Sequence, residues 1–337
     1  CLQWHGAEVI VAPEVSKVLA RSRDCKIQSL AVENHAFSFQ FHLEITPKTV
    51  EEWAEVEAYR ISLESELGTE IYNFKIDDHY SSNIISTIRN AWLESSVIIF
   101  KNLSLNHDQF LSLSQMFGDF GNDPYIESIN GYPNIIEVKR EEKEEAPPFG
   151  GSWHSDWSFQ ENPPSATLLH SKIIPPVGGE TLFINTQKAY EDLSEKIKNK
   201  IENLHVFHSA AGPYADDGFY ALEKNKDRSM KIMPSKKAKE VFLHPLVRTH
   251  PETKKKSLFI NPVYSLSING YGKEESLRFL HELFSHLEQK KYIYSHSWEP
   301  NMLVMWDNRS VNHRAQGGYE GYKRLLHRIT LSGDRPF

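Results

Sequence analysis

Cysteine is scarce in this sequence of 337 residues, which contains only Cys1 and Cys25. Two cysteines cannot form the set of disulfides that holds small secreted domains together. Because such scarcity is typical of proteins from a reducing compartment, we expect a cytoplasmic location. The sequence starts with Cys1 rather than Met, inside a segment with structured character, so we also expect that the true N-terminus lies upstream.

Long apolar runs and an excess of positive charge are also absent. No stretch approaches the roughly 18 apolar residues that a membrane-spanning helix needs, and SSVIIF at residues 95–100 has the length of a buried strand. Lysine and arginine number 38 against 45 acidic residues, which gives a net charge of -7 and a pI of about 6.2. Neither a nucleic acid nor a membrane is therefore expected as a partner.

The pattern of apolar residues changes near Glu66-Leu67-Gly68 and divides the chain into two predicted parts. Residues 1–66 contain short β-rich runs and an amphipathic helical pattern that begins at Thr46 or Pro47, and they predict a small α/β fragment. Residues 67–337 predict the main domain. Near its start, the pattern predicts helices at 82–94 and 106–117.

From about residue 125 onward, short apolar segments alternate with turns rich in Pro, Gly and Asn. These segments are NIIEV, ATLLHSKII, TLFIN, VFLHPLV, SLFIN, MLVMW and LLHRITL. Two amphipathic helices interrupt them, one from Thr186 to Leu204 and one at about 273–289. The pattern predicts a mainly β domain with α insertions, a double-stranded β-helix of the jelly-roll or cupin type. The polar, Pro- and Gly-rich segment 141–151 predicts a mobile loop, and a lid is one role for such a loop.

The segment GGSWHSDWSF contains a metal-binding pattern, His154-Ser155-Asp156. Residues i and i+2 of an extended strand point to the same face, so both side chains can reach one ion. His313 follows the apolar segment MLVMW and supplies a third ligand. Two imidazoles and one carboxylate suit Fe(II) and leave coordination positions open, whereas a structural zinc site usually includes cysteine.

Two arginines follow the last histidine at fixed spacing. Arg324 and Arg328 lie in the strand-like segment YKRLLHRITL and are four residues apart, so a strand places them on one face. The planar guanidinium group of arginine binds a carboxylate through two hydrogen bonds. The pattern therefore predicts a carboxylate-binding wall beside the metal.

Several segments resemble the taurine/2,4-D dioxygenase (TauD/TfdA) family of Fe(II)- and 2-oxoglutarate-dependent oxygenases. They are LGTEI, QMFGDFG, WHSDWSFQENPPSATLL, PPVGGETLF, HPLVRTHPET, WDNRSVNHRA and HRITLSGDRPF, and the resemblance covers residues 67–337. It implies an oxidoreductase that uses Fe(II), 2-oxoglutarate and O2, and that releases succinate and CO2. The residues that match the family pattern are the iron ligands His154, Asp156 and His313, the co-substrate-binding Thr181, Arg324 and Arg328, and the substrate-binding Tyr125, Phe159 and Arg328.

The same resemblance implies hydroxylation or oxidative cleavage of a small, anionic organic molecule, and a homo-oligomer of the kind common in the family. Two departures from the taurine enzymes bear on the substrate. Gly150 stands where those enzymes have a substrate-binding Asn, and Asn122-Asp123-Pro124 stands where they have a His before the pocket Tyr. Taurine is therefore disfavoured as the substrate.

The first part of the chain resembles the C-terminal part of class I glutamine amidotransferase domains. His42 and Glu44 match the two residues that assist the cysteine nucleophile there, with Leu43 in place of the usual Pro. Cys25 lacks the neighbouring glycines that a nucleophile turn needs. We therefore expect residues 1–66 to be an incomplete fragment of such a domain.

Two alternatives remain open on the sequence alone. The chain could be a glutamine amidotransferase whose second part only binds a ligand, or its second part could bind a metal without catalysis. A glutaminase assay separates the first alternative from an oxygenase, because glutamine hydrolysis needs a nucleophile that this sequence lacks.

Overall fold

The computed structural model describes residues 67–71, 74, 82–222, 225 and 227–337, together with the backbone of three short strands between residues 16 and 39. The chain divides into two compact units, Cys1–Leu63 and Glu64–Phe337. In the first unit, strands β1 (Ser16–Ala20), β2 (Ser29–Val32) and β3 (Ala36–Phe39) form an antiparallel sheet in the order β1-β2-β3. The expectations for Cys25, His42, Glu44 and the helix after Thr46 lie outside the described residues.

The second unit contains most of the strands. They are β4 (Thr69–Ile71), β5 (Val97–Phe100), β6 (Ser128–Ile129), β7 (Tyr132–Arg140), β8 (Ala166–Ile173), β9 (Thr181–Asn185), β10 (His205–Ser209), β11 (Val241–Pro245), β12 (Val247–Thr249), β13 (Lys256–Leu258), β14 (Ser265–Ile268), β15 (Ile293–His296), β16 (Leu303–Asp307), β17 (Val311–Ala315) and β18 (Arg324–Leu331). The α-helices are α1 (Ser82–Ser95), α2 (His107–Gln115), α3 (Thr186–Glu191), α4 (Glu195–Ile201), α5 (Ala211–Tyr214) and α6 (Lys273–Leu287).

A seven-stranded sheet in the order β4-β5-β16-β8-β18-β7-β6 supports the site. Its middle strands β16, β8 and β18 are antiparallel, and every residue of β5 and β16 is buried. Runs that are apolar on both faces form such interior strands because each face is covered. Trp306 of β16 lies opposite Thr167 of β8, and Thr330 of β18 lies opposite the same threonine from the other side.

A second, three-stranded antiparallel sheet has the order β15-β9-β17. One buried cluster joins it to the larger sheet, because Phe183 and Val311 of the small sheet pack with Val304, Trp306 and Leu326 of the large one. Removing these side chains from water stabilises the contact between the two sheets. Strands β9 and β17 thereby bring Thr181 and His313 towards the middle of the large sheet.

The prediction of a mainly β domain with inserted helices is confirmed. One predicted element is wrong: the single helix expected from Thr186 to Leu204 is two helices, α3 and α4. Ser194 lies between them and its hydroxyl accepts a hydrogen bond from the Ile197 amide. The capping serine starts a new helix at this point and so prevents the preceding helix from continuing. The spacing of the apolar residues continues through both helices and therefore predicted a single helix.

The helix from Asn106 is confirmed in type and start, since Asn106 caps α2 with its side chain and Gln109 bonds back to the Asn106 amide. Among the described residues, no helix combines the length and the apolar character that crossing a bilayer requires.

Candidate active site

His154 and His313 are joined through their main chains. The His154 amide donates to the His313 carbonyl at 3.0 Å, and the His313 amide donates to the His154 carbonyl at 2.7 Å. This isolated antiparallel bridge brings residues from distant parts of the chain side by side, and the two ring centroids are 4.3 Å apart. The bridge fixes both imidazoles on one side of the sheet.

Asp156 completes the group, but not as part of a regular strand. The sequence predicted an extended strand through residues 154–156, whereas only His154 is in a bridge and the chain turns at Asp156. The next residue, Trp157, has a φ of 47°, in the left-handed region that favours glycine. The turn still directs the Asp156 carboxylate towards both histidines, so the predicted convergence of the three side chains is confirmed.

Ligand atoms of His154, Asp156 and His313 all lie within 4.8 Å of one another, and all three residues are buried. The Asp156 carboxylate oxygens are 3.6 Å from His154 Nε2 and 3.8 Å from His313 Nε2. His154 Nδ1 is 2.7 Å from the Ser152 carbonyl. Since a carbonyl only accepts, Nδ1 carries the hydrogen and Nε2 keeps its lone pair for a metal.

The protonation of the group also suits a metal cation. Burial lowers the pKa of His313 to about 3, and the neighbouring His154 adds to the effect, so the imidazole stays neutral. Burial alone would raise the pKa of the Asp156 carboxyl, but the neighbouring charge of Arg328 opposes this most strongly, and the pKa is held well below its ordinary range. Two imidazoles and a carboxylate are the donor set that Fe(II) takes in non-haem enzymes.

A cleft of about 450 Å³ opens beside these three residues. Its wall includes Val138, Phe149, Leu169, Thr181, Trp306, Arg324 and Arg328. The two arginines share this cleft, as their four-residue spacing on a strand predicted. A mostly apolar cleft with a few convergent polar groups is the usual form of a small-molecule site.

Arg324 is buried at the edge of the cleft without an acidic partner. Its Nη2 donates to the Gly179 carbonyl at 3.1 Å, and its guanidinium lies over the Tyr319 ring at 5.6 Å. Within the described part of the chain, no carboxylate forms an ion pair with Arg324, and its Nε has no hydrogen-bond partner. A buried guanidinium with a free donor fits the distal carboxylate of a dicarboxylic acid.

Gly178 and Gly179 make this position accessible. Both have positive φ values, 64° and 76°. A Cβ on Gly178 would lie 2.6 Å from the Gly318 carbonyl oxygen, and one on Gly179 would lie 3.3 Å from Arg324 Nε. Only glycine therefore allows the turn before β9 to approach both the Gly317-Gly318 backbone and the arginine.

The hydroxyl group of Thr181, the first residue of β9, can still donate a hydrogen bond. Its Oγ1 accepts a hydrogen bond from the Trp298 indole at 3.0 Å. Because an indole N–H only donates, the threonine keeps its own hydrogen for another acceptor. Thr181 and Arg324 line the same cleft.

Arg328 has a different environment from Arg324. Its Nη2 lies 3.0 Å from Asp156 Oδ1 and 3.5 Å from Asp123 Oδ1, and its guanidinium packs over the Trp157 ring at 4.9 Å. Burial by itself would lower the pKa of Arg328, but the two carboxylates outweigh it and raise the pKa. Asp123 is itself held by the Trp157 indole at 2.6 Å and by the Thr330 hydroxyl at 3.0 Å.

Tyr125 and Phe159 do not line a cleft themselves, but they pack against two tyrosines that do. Tyr125 stacks on Tyr214 with centroids 4.9 Å apart, and Phe159 contacts the Tyr264 ring at 4.9 Å. Tyr214 and Tyr264 line a larger cleft of about 1630 Å³ that also reaches His154. Neither tyrosine could be predicted from the sequence, because both lie far along the chain from the metal-binding motif.

Gly150 and the segment 141–151 close one side of the site. A Cβ on Gly150 would lie 3.3 Å from His154 Cε1, so an Asn at this position would crowd the imidazole. Arg140 donates to the carbonyls of Glu144 (2.5 Å) and of Ala146, and Arg228 donates to that of Pro147 at 2.8 Å. Two arginines thus hold the segment over the cleft.

Fold and site together define the class of protein: a mononuclear non-haem iron enzyme with room for a chelating acid beside the metal. The family model described as "Taurine catabolism dioxygenase TauD, TfdA family" matches residues 59–330. The chain belongs to this family of 2-oxoglutarate-dependent dioxygenases, and it is an oxidoreductase. The resemblance to this family is confirmed.

Characterised relatives and solved structures agree with this assignment. The chain is 29% identical over 273 residues to an alkylsulfatase of Acinetobacter baylyi, with 81% of this chain and 84% of that protein covered. It is 30% identical over 286 residues to an alpha-ketoglutarate-dependent sulfonate dioxygenase of Saccharomyces cerevisiae, covering 80% and 66%. A taurine dioxygenase structure from Burkholderia xenovorans superposes with a TM-score of 0.66 at 27% identity, covering 80% and 87%.

Proposed function

We propose that this protein is an Fe(II)- and 2-oxoglutarate-dependent dioxygenase that hydroxylates or oxidatively cleaves a small organic anion, with release of succinate and CO2. The observation that carries the proposal is the buried group of His154, Asp156 and His313, whose ligand atoms lie within 4.8 Å of one another beside a cleft with an unpaired arginine. The surrounding domain is a jelly-roll formed by residues 67–337.

The three ligands hold the iron in this proposal, and their burial keeps them ready for it. His154 offers Nε2 because Nδ1 is used by the Ser152 carbonyl, and His313 is neutral. When bound, Fe(II) supplies the oxidising chemistry, with O2 as oxidant and 2-oxoglutarate as the source of two electrons. Trp306, whose ring lies 4.7 Å from that of His313, fixes this imidazole from the side.

Arg324 and Thr181 bind the distal carboxylate of 2-oxoglutarate. Arg324 contributes a buried charge whose Nε has no hydrogen-bond partner, and Thr181 contributes a hydroxyl hydrogen that its Trp298 contact leaves free. Arg328 lies between this subsite and the substrate. Its charge faces Asp156 and Asp123, and its Nε, without a hydrogen-bond partner among the described residues, remains available to an anionic group.

The substrate is a small organic anion bound near Arg328, with the larger cleft enclosing its body. Relatives bearing the names alkylsulfatase, sulfonate dioxygenase and 2,4-dichlorophenoxyacetate dioxygenase support this substrate class. The aromatic lining of the larger cleft, including Tyr214 and Tyr264, suits an apolar body. Tyr125 and Phe159 support that lining from behind.

Succinate release provides the test. The protein is loaded with Fe(II) under O2 and supplied with 2-oxoglutarate and a panel of alkyl sulfonates, alkyl sulfate esters and aryloxyacetates. We expect succinate formation that depends on Fe(II) and on one class of organic anion, and that is lost in His154→Ala but kept in His205→Ala, an exposed histidine. Turnover independent of iron, or unchanged in His154→Ala, would contradict the proposal.

We further propose that residues 1–66 are the C-terminal part of a class I glutamine amidotransferase domain, followed by the oxygenase domain. The division into two compact units and the antiparallel sheet β1-β2-β3 support this. A clone extended upstream should hydrolyse glutamine only if a nucleophilic cysteine precedes Cys1. We also propose that the protein is cytoplasmic and forms a homo-oligomer. Light scattering of the purified protein measures its molar mass in solution and so tests the oligomer.

A further inference from the structure

A line of buried hydrogen bonds runs from Trp306 to the Asp156 carboxylate. The Trp306 indole donates to Asn308 Oδ1 at 3.0 Å, and the Asn308 amide nitrogen donates to Thr167 Oγ1 at 2.9 Å. The Thr167 hydroxyl then donates to Asp156 Oδ2 at 2.6 Å. Asp156, Thr167, Trp306 and Asn308 are each at most 2% exposed, so water does not compete for these bonds.

The direction of every bond in this line follows from the indole. An indole N–H can only donate, so the Asn308 side chain presents its oxygen to Trp306 and its NH2 to Thr167. The threonine oxygen therefore accepts from Asn308, and its single hydrogen is directed to Asp156. The Ser155 hydroxyl donates to the Asn308 main-chain carbonyl at 2.7 Å and holds that residue in place.

The sheet fixes two members of the line, Trp306 and Thr167. Trp306 and Thr167 are directly opposite each other on β16 and β8. Asp156, by contrast, lies in a turn, where no strand pairing holds its side chain. Its two oxygens are held separately, Oδ2 by Thr167 and Oδ1 by Arg328 at 3.0 Å. The orientation of the carboxylate thus depends on contacts outside its own segment.

We infer that Thr167 is a positioning residue for the metal site, and that Trp306 and Asn308 direct its hydroxyl towards the Asp156 carboxylate. The inference rests on the proposed role of Asp156 as an iron ligand. Groups that orient metal ligands typically change metal affinity by about 10- to 100-fold when removed. Thr167 touches neither metal nor substrate, so its effect is on metal affinity rather than on a chemical step.

The test is a calorimetric titration of Mn(II) into the metal-free, full-length protein, which measures the Kd for Mn(II). Thr167→Val keeps the shape of the side chain and removes the hydroxyl, and we expect its Kd for Mn(II) to rise about 10-fold or more. Thr167→Ser keeps the hydroxyl and should bind within about threefold of wild type. Thr186→Val is the matched control, because the buried Thr186 hydroxyl donates to the Ser310 carbonyl and not to a metal ligand.

The directing role of Trp306 and Asn308 is tested by a double-mutant cycle. Trp306→Phe removes the indole donor that orients the Asn308 amide, and it also changes the packing on His313. It should therefore weaken Mn(II) binding more in the wild-type background than in Thr167→Val, where only the change in packing remains. Equal effects of Trp306→Phe in both backgrounds would overturn the directing role. Wild-type affinity in Thr167→Val would overturn the inference as a whole.

His154→Ala separates this inference from the proposed function. If His154→Ala loses Mn(II) while Thr167→Val does not, the metal site stands and the role of Thr167 is overturned. If His154→Ala binds Mn(II) as tightly as wild type, the proposed metal site fails as well. Far-UV circular dichroism of each variant confirms that the fold is retained.

Discussion

The amides of His154 and His313 each donate to the carbonyl of the other, at 3.0 and 2.7 Å. Residues at these two positions need no metal to be held together, because the backbone bonds and the packing of Phe183 and Trp306 against His313 already do so. Preorganised ligands lower the cost of ordering on metal binding. We therefore expect the proposed metal site to be formed before the metal binds.

Hydrogen exchange tests this preorganisation. In the metal-free protein, we expect the amides of His154 and His313 to exchange slowly, because both are buried and hydrogen-bonded. The amide of the exposed Glu320 provides a fast-exchanging reference. Residue-resolved exchange measured with and without Mn(II) checks the prediction. Fast exchange at both histidines that becomes slow only with metal would show that the bridge forms on binding.

Arg324 should supply much of the affinity for 2-oxoglutarate. Removing one partner of a buried charge pair typically costs 2–5 kcal/mol, so Arg324→Ala should raise the Kd for 2-oxoglutarate by about 30- to 4,000-fold. Calorimetry on Mn(II)-loaded protein without O2 measures it. Arg335→Ala, at an arginine whose side chain is 70% exposed, serves as the control. An unchanged Kd in Arg324→Ala would place the carboxylate elsewhere.

The Thr181 hydroxyl should contribute a hydrogen bond to the same carboxylate. A hydrogen bond to a charged group contributes about 1.5–3 kcal/mol, so Thr181→Val should weaken 2-oxoglutarate binding roughly 10- to 150-fold. Thr181→Ser keeps the donor and the Trp298 contact and is the matched variant. Equal Kd values for the Val and Ser variants would remove Thr181 from the anchor.

The proposed iron ligands could be identified from the sequence because two of the three are neighbours in the chain. A His-x-Asp pair needs only two neighbouring side chains, and Arg324 and Arg328 share a cleft because both lie on β18. Strands such as β9 were predicted from a continuous apolar run that follows two glycines. In these cases, the sequence pattern and the final environment depend on the same few residues.

The rest depends on contacts between distant segments. Thr167 looks like any β-branched residue in a buried strand, and only the fold brings its hydroxyl to Asp156. Tyr214 and Tyr264 lie about 60 and 110 residues beyond His154, with no motif to mark them. The break between α3 and α4 depended on a capping serine whose effect the apolar spacing concealed.

Gly178 should be the less replaceable of two glycines in the left-handed region. Gly270 has a φ of 83° and open space around its Cα, so Gly270→Ala should cost only the backbone strain of about 1–2 kcal/mol. Gly178→Ala adds a Cβ 2.6 Å from the Gly318 carbonyl oxygen, and overpacking should add about 1–3 kcal/mol. Urea unfolding of both variants measures the difference. Equal losses would mean that the Gly317-Gly318 backbone moves away freely.

The buried His208 should make the protein less stable in mildly acidic solution. Burial lowers its pKa from 6.5 to about 3, and the neighbouring His244 adds to the effect. Between these values, the unfolded chain binds a proton that the folded chain does not, so the free energy of unfolding falls as the pH falls. From pH 7 to pH 5, the unfolded-state pKa predicts a loss of about 2 kcal/mol from this residue.

The buried carboxylates Asp156 and Asp307 contribute little to the change in the free energy of unfolding between pH 7 and pH 5. The pKa values of Asp156 and Asp307 are held below the ordinary 3.8, so their contributions are lost only at lower pH. His208→Gln removes the titrating ring, while His205→Gln changes an exposed histidine on the same strand. Urea unfolding of the metal-free protein at pH 7 and pH 5 should show a smaller difference in His208→Gln than in wild type or His205→Gln. The same difference in all three proteins would mean that His208 has the same pKa in the folded and unfolded states, because only then does its ring leave the pH dependence of unfolding unchanged.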